Sequence, residues 1–144
     1  REVTPSKIIC IGRNYVEHVK ELGDELPDEM VIFMKPNSAL SGDLHLFHNE
    51  QIHYEGELSF LYEGGAFSAL GFGFDLTKRA LQRKLLAKGL PWERAKAFDG
   101  SAVFSEFVPF SGDFDSLTIR LKIDGLTVQS GGTELMIYKA RRYF

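Results

Sequence analysis

Cysteine is almost absent from this chain of 144 residues, which has only Cys10. A single cysteine cannot form an internal disulfide or supply a cysteine-based zinc cluster. Cys10 lies in the apolar run of residues 8–11, where a buried, unreactive thiol is expected. The chain also lacks any run near the roughly 18 apolar residues of a membrane span. Because Arg1–Lys7 is polar and the apolar run after it is short, no signal peptide is indicated, and we expect a cytoplasmic protein.

Neither sign of charge is in large excess. The 17 Lys and Arg residues are set against 20 Asp and Glu residues, which gives a net charge of −3 and a pI of about 5.8. Such a balance argues against nucleic acid or an anionic membrane as partner. The hydrophobic share of 44% is ordinary for a globular protein. We therefore expect one domain over residues 1–144, with a local site for a small ligand.

Alternation of apolar and polar residues predicts strands through most of the chain. The segment Ile52–Tyr62 has a period of two, which is typical of a strand with one buried face. Glu63-Gly64-Gly65 and Asp124-Gly125 are tight-turn signals. The other predicted strands are Lys7–Ile11, Val31–Met34, Ala69–Phe74, Ala102–Val108, Leu117–Ile123 and Leu126–Gln129.

Helices are fewer and shorter. The segment Thr77–Lys88 is predicted to be helical, with Asp75 able to cap its start and Gly89 followed by Pro91 ending it. The segment Asn14–Leu22 permits a helix. Because strands outnumber helices and hairpin connections dominate, the predicted class is α+β, mainly β, with short helices on the outside.

Glu55 and Glu57 are two residues apart in the predicted strand. Their side chains therefore leave the same face, roughly 7 Å apart along the chain. Two carboxylates so placed can converge on a hard divalent cation such as Mg²⁺ or Mn²⁺. They can equally form the solvated face of an edge strand, and their spacing does not decide between these interpretations.

Asp75, Arg79 and Gln82 stand at positions i, i+4 and i+7, which predicts one helical face for all three. A carboxylate, a guanidinium and an amide in a row are suited to a metal-bound carboxylate ligand, since arginine binds carboxylates through two parallel hydrogen bonds. A helix cap beside a solvated ion pair would give the same pattern.

Three further residues are candidates for catalysis. His18 and Glu21 are three apart, an arrangement in which a glutamate can orient a histidine that activates water. Lys96 lies between apolar residues and could stabilise the developing charge of an enolate. Each of the three could instead be a solvated surface residue.

Five blocks of sequence follow one another over about residues 7–137. They are Ile11-Gly12-Arg13-Asn14-Tyr15 with His18; Lys35-Pro36 with Ser38-Ala39; His53-Tyr54-Glu55-Gly56-Glu57-Leu58; Asp75-Leu76-Thr77-Lys78-Arg79-Ala80-Leu81-Gln82; and Gly89-Leu90-Pro91-Trp92 with Arg94-Ala95-Lys96. Together these blocks resemble the fumarylacetoacetate hydrolase family. The resemblance implies a mixed β-roll of that family's C-terminal-domain type, a single catalytic domain and a homodimer.

The resemblance also implies roles for individual residues. Mg²⁺ or Mn²⁺ would be bound by Glu55, Glu57 and Asp75, with Lys96 beside the metal. The substrate would be a small 2-keto or β-diketo acid, held by Arg13, Arg79 and Gln82. His18 and Glu21 match the family's catalytic dyad.

The favoured reaction is hydrolytic C–C cleavage of a β-diketo acid of the acylpyruvate or fumarylpyruvate type through a metal-bound enolate. Oxaloacetate decarboxylation, isomerisation of a 2-hydroxy-dienoate and a non-catalytic family remnant are the alternatives. The family's later Gly-Thr-Pro-containing segment is not found here, and the tail Lys139–Phe144 departs from the family pattern. We therefore expect either a shortened variant or a sequence without its C-terminal portion.

Overall fold

The structure, a computed structural model, describes residues 2–15, 23, 28–45 and 47–140. The chain forms two compact units: residues 1–9 with 34–110, and residues 10–33 with 111–144. Strands β1 (Ile8–Gly12) and β2 (Val31–Lys35) pair with each other, and the division between the units falls within both strands. Both strands were predicted. None of the helices in the described part of the chain has the length and hydrophobicity of a membrane span.

The first unit is built on a mixed sheet of five strands. Its strands are β3 (Leu40–Ser41), β4 (Gly56–Glu63), β5 (Ala66–Asp75), β6 (Ala102–Phe104) and β7 (Val108–Pro109). They lie in the order β3-β6-β5-β4, with β7 paired to β5 as well, and only the β3–β6 pair is parallel. A short 3₁₀ helix, Asn37–Ala39, precedes β3.

One predicted strand, Ala102–Val108, is interrupted. The chain leaves the ladder after β6, and Ser105 instead exchanges hydrogen bonds with the backbone of Phe72: the Ser105 N–H donates to Phe72 O at 2.8 Å, and Phe72 N–H donates to Ser105 Oγ at 2.9 Å. Pairing with β5 then resumes at β7. The interruption matters because it brings the ring of Phe107 against β5.

The hairpin of β4 and β5 positions the carboxylates. Gly64 and Gly65 form its turn with φ of 62° and 86°, values that glycine adopts without strain. Glu57 lies opposite Gly73 in the ladder. Before β4 begins, Glu55 and Asp75 exchange backbone hydrogen bonds of 3.3 and 2.9 Å, so these two residues also lie opposite each other. Opposed residues share a face, so all three carboxylates lie on one face of the hairpin.

The burial of this hairpin differs from a simple apolar-inside pattern. On the carboxylate face, Gly73 and Asp75 are buried, whereas Leu58 and Phe60 on the opposite face are only half-buried. The face that carries the charged residues is therefore at least as enclosed as the apolar face.

Two helices follow β5: α1 (Arg79–Leu86) and α2 (Glu93–Lys96). Helix α1 begins two residues later than predicted because Thr77 still exchanges backbone hydrogen bonds with His53, at 2.8 and 2.9 Å. The expected cap was wrong: Lys78 is the N-cap residue, and Asp75 is the last residue of β5. The helix ends as predicted near Gly89, whose φ is 61°.

The second unit contains a hairpin of β8 (Thr118–Ile123) and β9 (Leu126–Gly132). Positive φ values of 50° at Asp124 and 81° at Gly125 confirm the predicted tight turn. The segment expected to permit a helix from Asn14 begins differently. The Asn14 side chain bonds both backbone groups of Tyr138, at 2.7 and 3.0 Å, and Tyr15 forms a β-bridge.

Candidate active site

Lys96 stands at the centre of a buried charged cluster on the carboxylate face. Its ammonium Nζ donates to Glu55 Oε2 at 2.8 Å, to Asp75 Oδ2 at 2.7 Å and to Thr77 Oγ1 at 2.7 Å. Only 3% of Lys96 is exposed. Burial alone would lower the pKa of Lys96, but Asp75 and Glu55 raise it above its usual value. The side chain is therefore a fixed cation at neutral pH.

Helix α1 contributes a second cation to the cluster. Arg79 donates through Nη2 to Glu55 Oε1 and through Nη1 to Gln82 Oε1, the latter at 2.6 Å. Burial tends to raise the pKa of Glu55, but Lys96 and Arg79 together lower it to about 2. Glu55 is thus ionised at all ordinary pH values. The helical spacing correctly predicted that Arg79 and Gln82 meet, but Asp75 does not share their helical face, because it lies at the end of β5.

Glu57 has a different environment from Glu55, although both lie on one face. Burial, followed by the negative charges of Glu55 and Asp75, raises the pKa of Glu57 to about 8, and Lys96 opposes this only in part. Glu57 is therefore largely protonated at pH 7 in the protein without a bound cation. The cations of the cluster contact Glu55 and Asp75, and Glu57 keeps its proton because it is buried beside two other carboxyl groups.

One buried polar atom in the cluster, the donor Arg79 Nε, has no hydrogen-bond partner within the described part of the chain. Asp75 Oδ1, by contrast, forms an ion pair with Lys35 Nζ at 2.8 Å. A buried guanidinium donor that lacks a partner is suited to an anionic ligand such as a carboxylate.

The cluster's donor chemistry can be compared with the needs of a divalent metal. Glu55, Glu57 and Asp75 offer only carboxylate oxygens, which hard cations such as Mg²⁺ and Mn²⁺ prefer. A cation bound there would supply the positive charge that Glu57 needs beside it in order to lose its proton. However, in the described ranges no three Asp, Glu, His or Cys side chains form a ready-made metal cluster. Instead, the Lys96 ammonium bridges Glu55 and Asp75. The three carboxyl groups therefore suit a divalent metal in the type of their ligand atoms and in their charge. In this structure the Lys96 ammonium links two of them, Glu55 and Asp75.

Lys35 is a member of the cluster that the sequence did not reveal. It is 2% exposed at the end of β2, where its ammonium pairs with Asp75 and donates to the backbone oxygens of Leu76 and Lys96. The sequence offered one signal, a lysine at the end of an apolar strand, but no indication of its partners. Lys35 holds the segment that carries Lys96 against the segment that carries Asp75.

Replacing Lys35 with methionine should destabilise the protein by about 3–5 kcal/mol, because a buried carboxylate and two backbone oxygens would lose their cation. Urea unfolding would measure this change. Lys84→Met, at an exposed position of α1, is the matched control and should change stability by less than about 0.5 kcal/mol. Equal effects of the two substitutions would contradict the importance assigned to Lys35.

The remaining predicted site residues are not placed in this cluster. Arg13 belongs to the second unit and has a φ of 55°. His18 and Glu21 lie outside the described residues. The roles of all three stay predictions.

Comparison with known proteins identifies the family. The family model of the fumarylacetoacetate (FAA) hydrolase C-terminal domain matches residues 7–64 and 69–143. The chain belongs to the fumarylacetoacetate hydrolase family. Its match runs through the whole cluster, from Lys35 to Lys96.

Relatives within the fumarylacetoacetate hydrolase family include enzymes with named activities. The oxaloacetate tautomerase YcgM of Escherichia coli is 38% identical over 153 residues, covering 93% of this chain and 69% of the relative. The mitochondrial oxaloacetate tautomerase FAHD1 of Arabidopsis thaliana is 39% identical over 155 residues, covering 93% and 68%. This chain therefore spans a little over two thirds of each relative.

A solved structure of the family provides a comparison of the fold. The fumarylpyruvate hydrolase of Pseudomonas aeruginosa, in complex with Mn²⁺ and pyruvate, is 30% identical, with a TM-score of 0.81 over 92% of this chain and 66% of that one. This likeness confirms the predicted class and family fold. It also shows that a structural relative binds a divalent metal together with a small keto acid.

Proposed function

We propose that this protein is a divalent-metal-dependent enzyme that catalyses the enol–keto tautomerisation of oxaloacetate or a closely similar small 2-keto acid. The observation that carries the proposal is the gathering of three carboxyl groups, Glu55, Glu57 and Asp75, on one face beside Arg79, whose buried Nε has no hydrogen-bond partner within the described part of the chain. A buried donor of this kind is costly to keep without a ligand.

Mg²⁺ or Mn²⁺ would be held by Glu55, Glu57 and Asp75. When bound, such an ion supplies Lewis-acid polarisation of an oxygen on a 2-keto acid. Glu57 would lose its proton on metal binding, because the cation compensates the neighbouring charges that now raise its pKa.

Arg79 and Gln82 would hold the substrate's carboxylate. Arg79 Nε is a buried donor, and a guanidinium binds a carboxylate best through two parallel hydrogen bonds. Gln82 accepts from Arg79 through Oε1, which orients its amide nitrogen group as a further donor. Together these donors would hold the substrate's carboxylate beside Glu55.

Lys96 would stabilise the negative charge of the enolate. It remains an ammonium because Asp75 and Glu55 raise its pKa, so it acts as a fixed positive charge and not as a base. In tautomerisation, the enol oxygen loses a proton and the adjacent carbon gains one. His18 and Glu21 are our candidates for moving that proton, as predicted from the sequence.

Relatives favour tautomerisation over the hydrolysis predicted from the sequence, since several are named oxaloacetate tautomerases. Hydrolytic cleavage of an acylpyruvate is the second candidate, because the structural relative from Pseudomonas aeruginosa is a fumarylpyruvate hydrolase. Decarboxylation remains a third outcome, as a relative from Dictyostelium discoideum is named oxaloacetate decarboxylase. All three reactions pass through an enolate, whose negative charge the same residues would stabilise.

One assay separates these reactions. Purified protein with Mg²⁺ or Mn²⁺ is mixed in turn with enol oxaloacetate and with acetylpyruvate, and we follow loss of the enol absorbance and release of pyruvate. We expect enol loss well above the buffer rate, without stoichiometric pyruvate. Pyruvate from acetylpyruvate would instead identify the hydrolase, and pyruvate from oxaloacetate the decarboxylase. Metal binding without any turnover would indicate the non-catalytic alternative.

A further inference from the structure

Two phenylalanine rings lie over glycine residues of β5, one over Gly73 opposite Glu57 and one over Gly71 two residues before it. A Cβ added to Gly73 would lie 2.8 Å from the ring of Phe104, and one added to Gly71 would lie 3.1 Å from the ring of Phe107. Neither glycine has a positive φ, so neighbouring side chains, and not the backbone conformation, exclude a larger residue. At Gly71 this is the ring of Phe107, and at Gly73 it is the ring of Phe104 together with Ser59 Oγ, which would lie 2.5 Å from an added Cβ. The rings also contact each other, with centroids 5.8 Å apart.

The rings lie on the same face as the carboxylates. Gly73 is opposite Glu57 in the β4–β5 ladder, and Phe104 is opposite Gly73 in the β5–β6 ladder. Directly opposed residues share a face, and so do residues two apart in a strand. The aromatic pair of Phe104 and Phe107 thus borders the charged cluster.

The face changes from polar to apolar along one direction. Arg79 contacts Glu55 at one end, Glu57 follows roughly 7 Å further along the strand, and the aromatic pair lies beside and beyond Glu57. A ligand held by Arg79 that extends along the strand past Glu57 would meet the ring of Phe104. Both rings are half-buried, so each retains surface that a ligand can contact.

We propose that the aromatic pair of Phe104 and Phe107 forms a wall that limits the size of the substrate's substituent on the side away from its carboxylate. The site would then take 2-keto acids with short tails and reject branched or longer ones. This inference rests on the proposed function, since it takes Arg79 as the residue that holds the carboxylate. Gly73 and Gly71 have a positioning role, because only glycine leaves room for the rings to lie this close to the sheet.

The test compares two ligands with the same head group and tails of different size. Pyruvate and 4-methyl-2-oxopentanoate are titrated calorimetrically into the Mn²⁺-loaded protein, with oxalate as a ligand that has no tail. The variants are Phe104→Ala and the milder Phe104→Leu, which keeps the proposal testable if the alanine variant fails to fold. Phe72→Leu, on the opposite face of β5, is the matched control.

The wild type should bind pyruvate at least about tenfold more tightly than 4-methyl-2-oxopentanoate, and Phe104→Ala should reduce that preference by about tenfold or more. Phe104→Leu should reduce the preference less, while oxalate affinity should stay unchanged in every variant. An unchanged preference in the Phe104 variants, or an equal change in Phe72→Leu, would contradict the role of the aromatic pair and leave the proposed function standing. If the wild type with Mn²⁺ binds neither pyruvate nor oxalate, the proposed function fails and this inference fails with it.

Discussion

Replacing Lys96 with methionine is expected to reduce turnover by about 10²–10³-fold and to destabilise the fold by about 3–5 kcal/mol. The activity falls because the fixed positive charge that would stabilise the enolate is removed. The stability falls because Glu55 and Asp75 lose the ammonium that lies between them at 2.8 and 2.7 Å. Steady-state kinetics and urea unfolding measure the two effects separately.

The matched control for Lys96 is Lys78→Met. The Lys78 side chain is about one fifth exposed, and within the described ranges it makes a long ion pair with Glu50, at 3.9 Å, and a contact over the ring of Phe98. Its removal should change stability by no more than about 1 kcal/mol and leave turnover near the wild-type value. Full turnover in Lys96→Met would show that the enolate is stabilised without this residue.

Glu57→Gln should have effects of opposite sign on metal binding and on stability. Affinity for Mg²⁺ should fall by at least about 10²-fold, since a ligand carboxylate is lost. The metal-free protein should gain stability at pH 7. In the folded wild type the pKa of Glu57 is about 8, above the value of 4.5 expected in the unfolded chain. Between these pH values the folded state keeps a proton that the unfolded chain releases, so the stability of the wild type falls as the pH rises.

Glutamine has no such proton, so the stability gain of Glu57→Gln should grow from pH 5 to pH 8 and reach about 1–3 kcal/mol at pH 7, with allowance for partial exposure. Thermal unfolding in EDTA at several pH values would measure it. Glu63→Gln, at the exposed end of the same strand, should show no such trend. A gain that is independent of pH would contradict the assigned pKa.

Much of the hairpin was predictable, but the register that forms the cluster was not. A period of two put Glu55 and Glu57 on one face, and the two glycines at 64 and 65 located the turn. Counting outward from the turn would pair Glu55 with Phe74. A bulge after Leu61 shifts the register by one residue, so that Glu55 faces Asp75. Nothing in the local sequence signals that bulge.

The long-range members of the cluster were harder to predict. Local spacing correctly predicted the contact between Arg79 and Gln82 within α1. It wrongly predicted that Asp75 caps the helix, because the end of a strand just before a helix and a helix cap look alike in sequence. Lys35 comes from β2 and reaches the cluster only through the tertiary fold. Lys96 was recognised as a candidate, but its burial between two carboxylates depends on contacts 21 and 41 residues away.

Calorimetric titration with Mg²⁺ at pH 7, in two buffers of different ionisation enthalpy, tests most directly whether the carboxylate cluster is a metal site. We expect one ion per chain and release of nearly one proton from Glu57 in the wild type, with neither seen in Glu57→Gln under the same conditions. A wild type that binds no Mg²⁺ or Mn²⁺, or a Glu57→Gln variant that binds it equally well, would contradict a metal site at the carboxylate cluster.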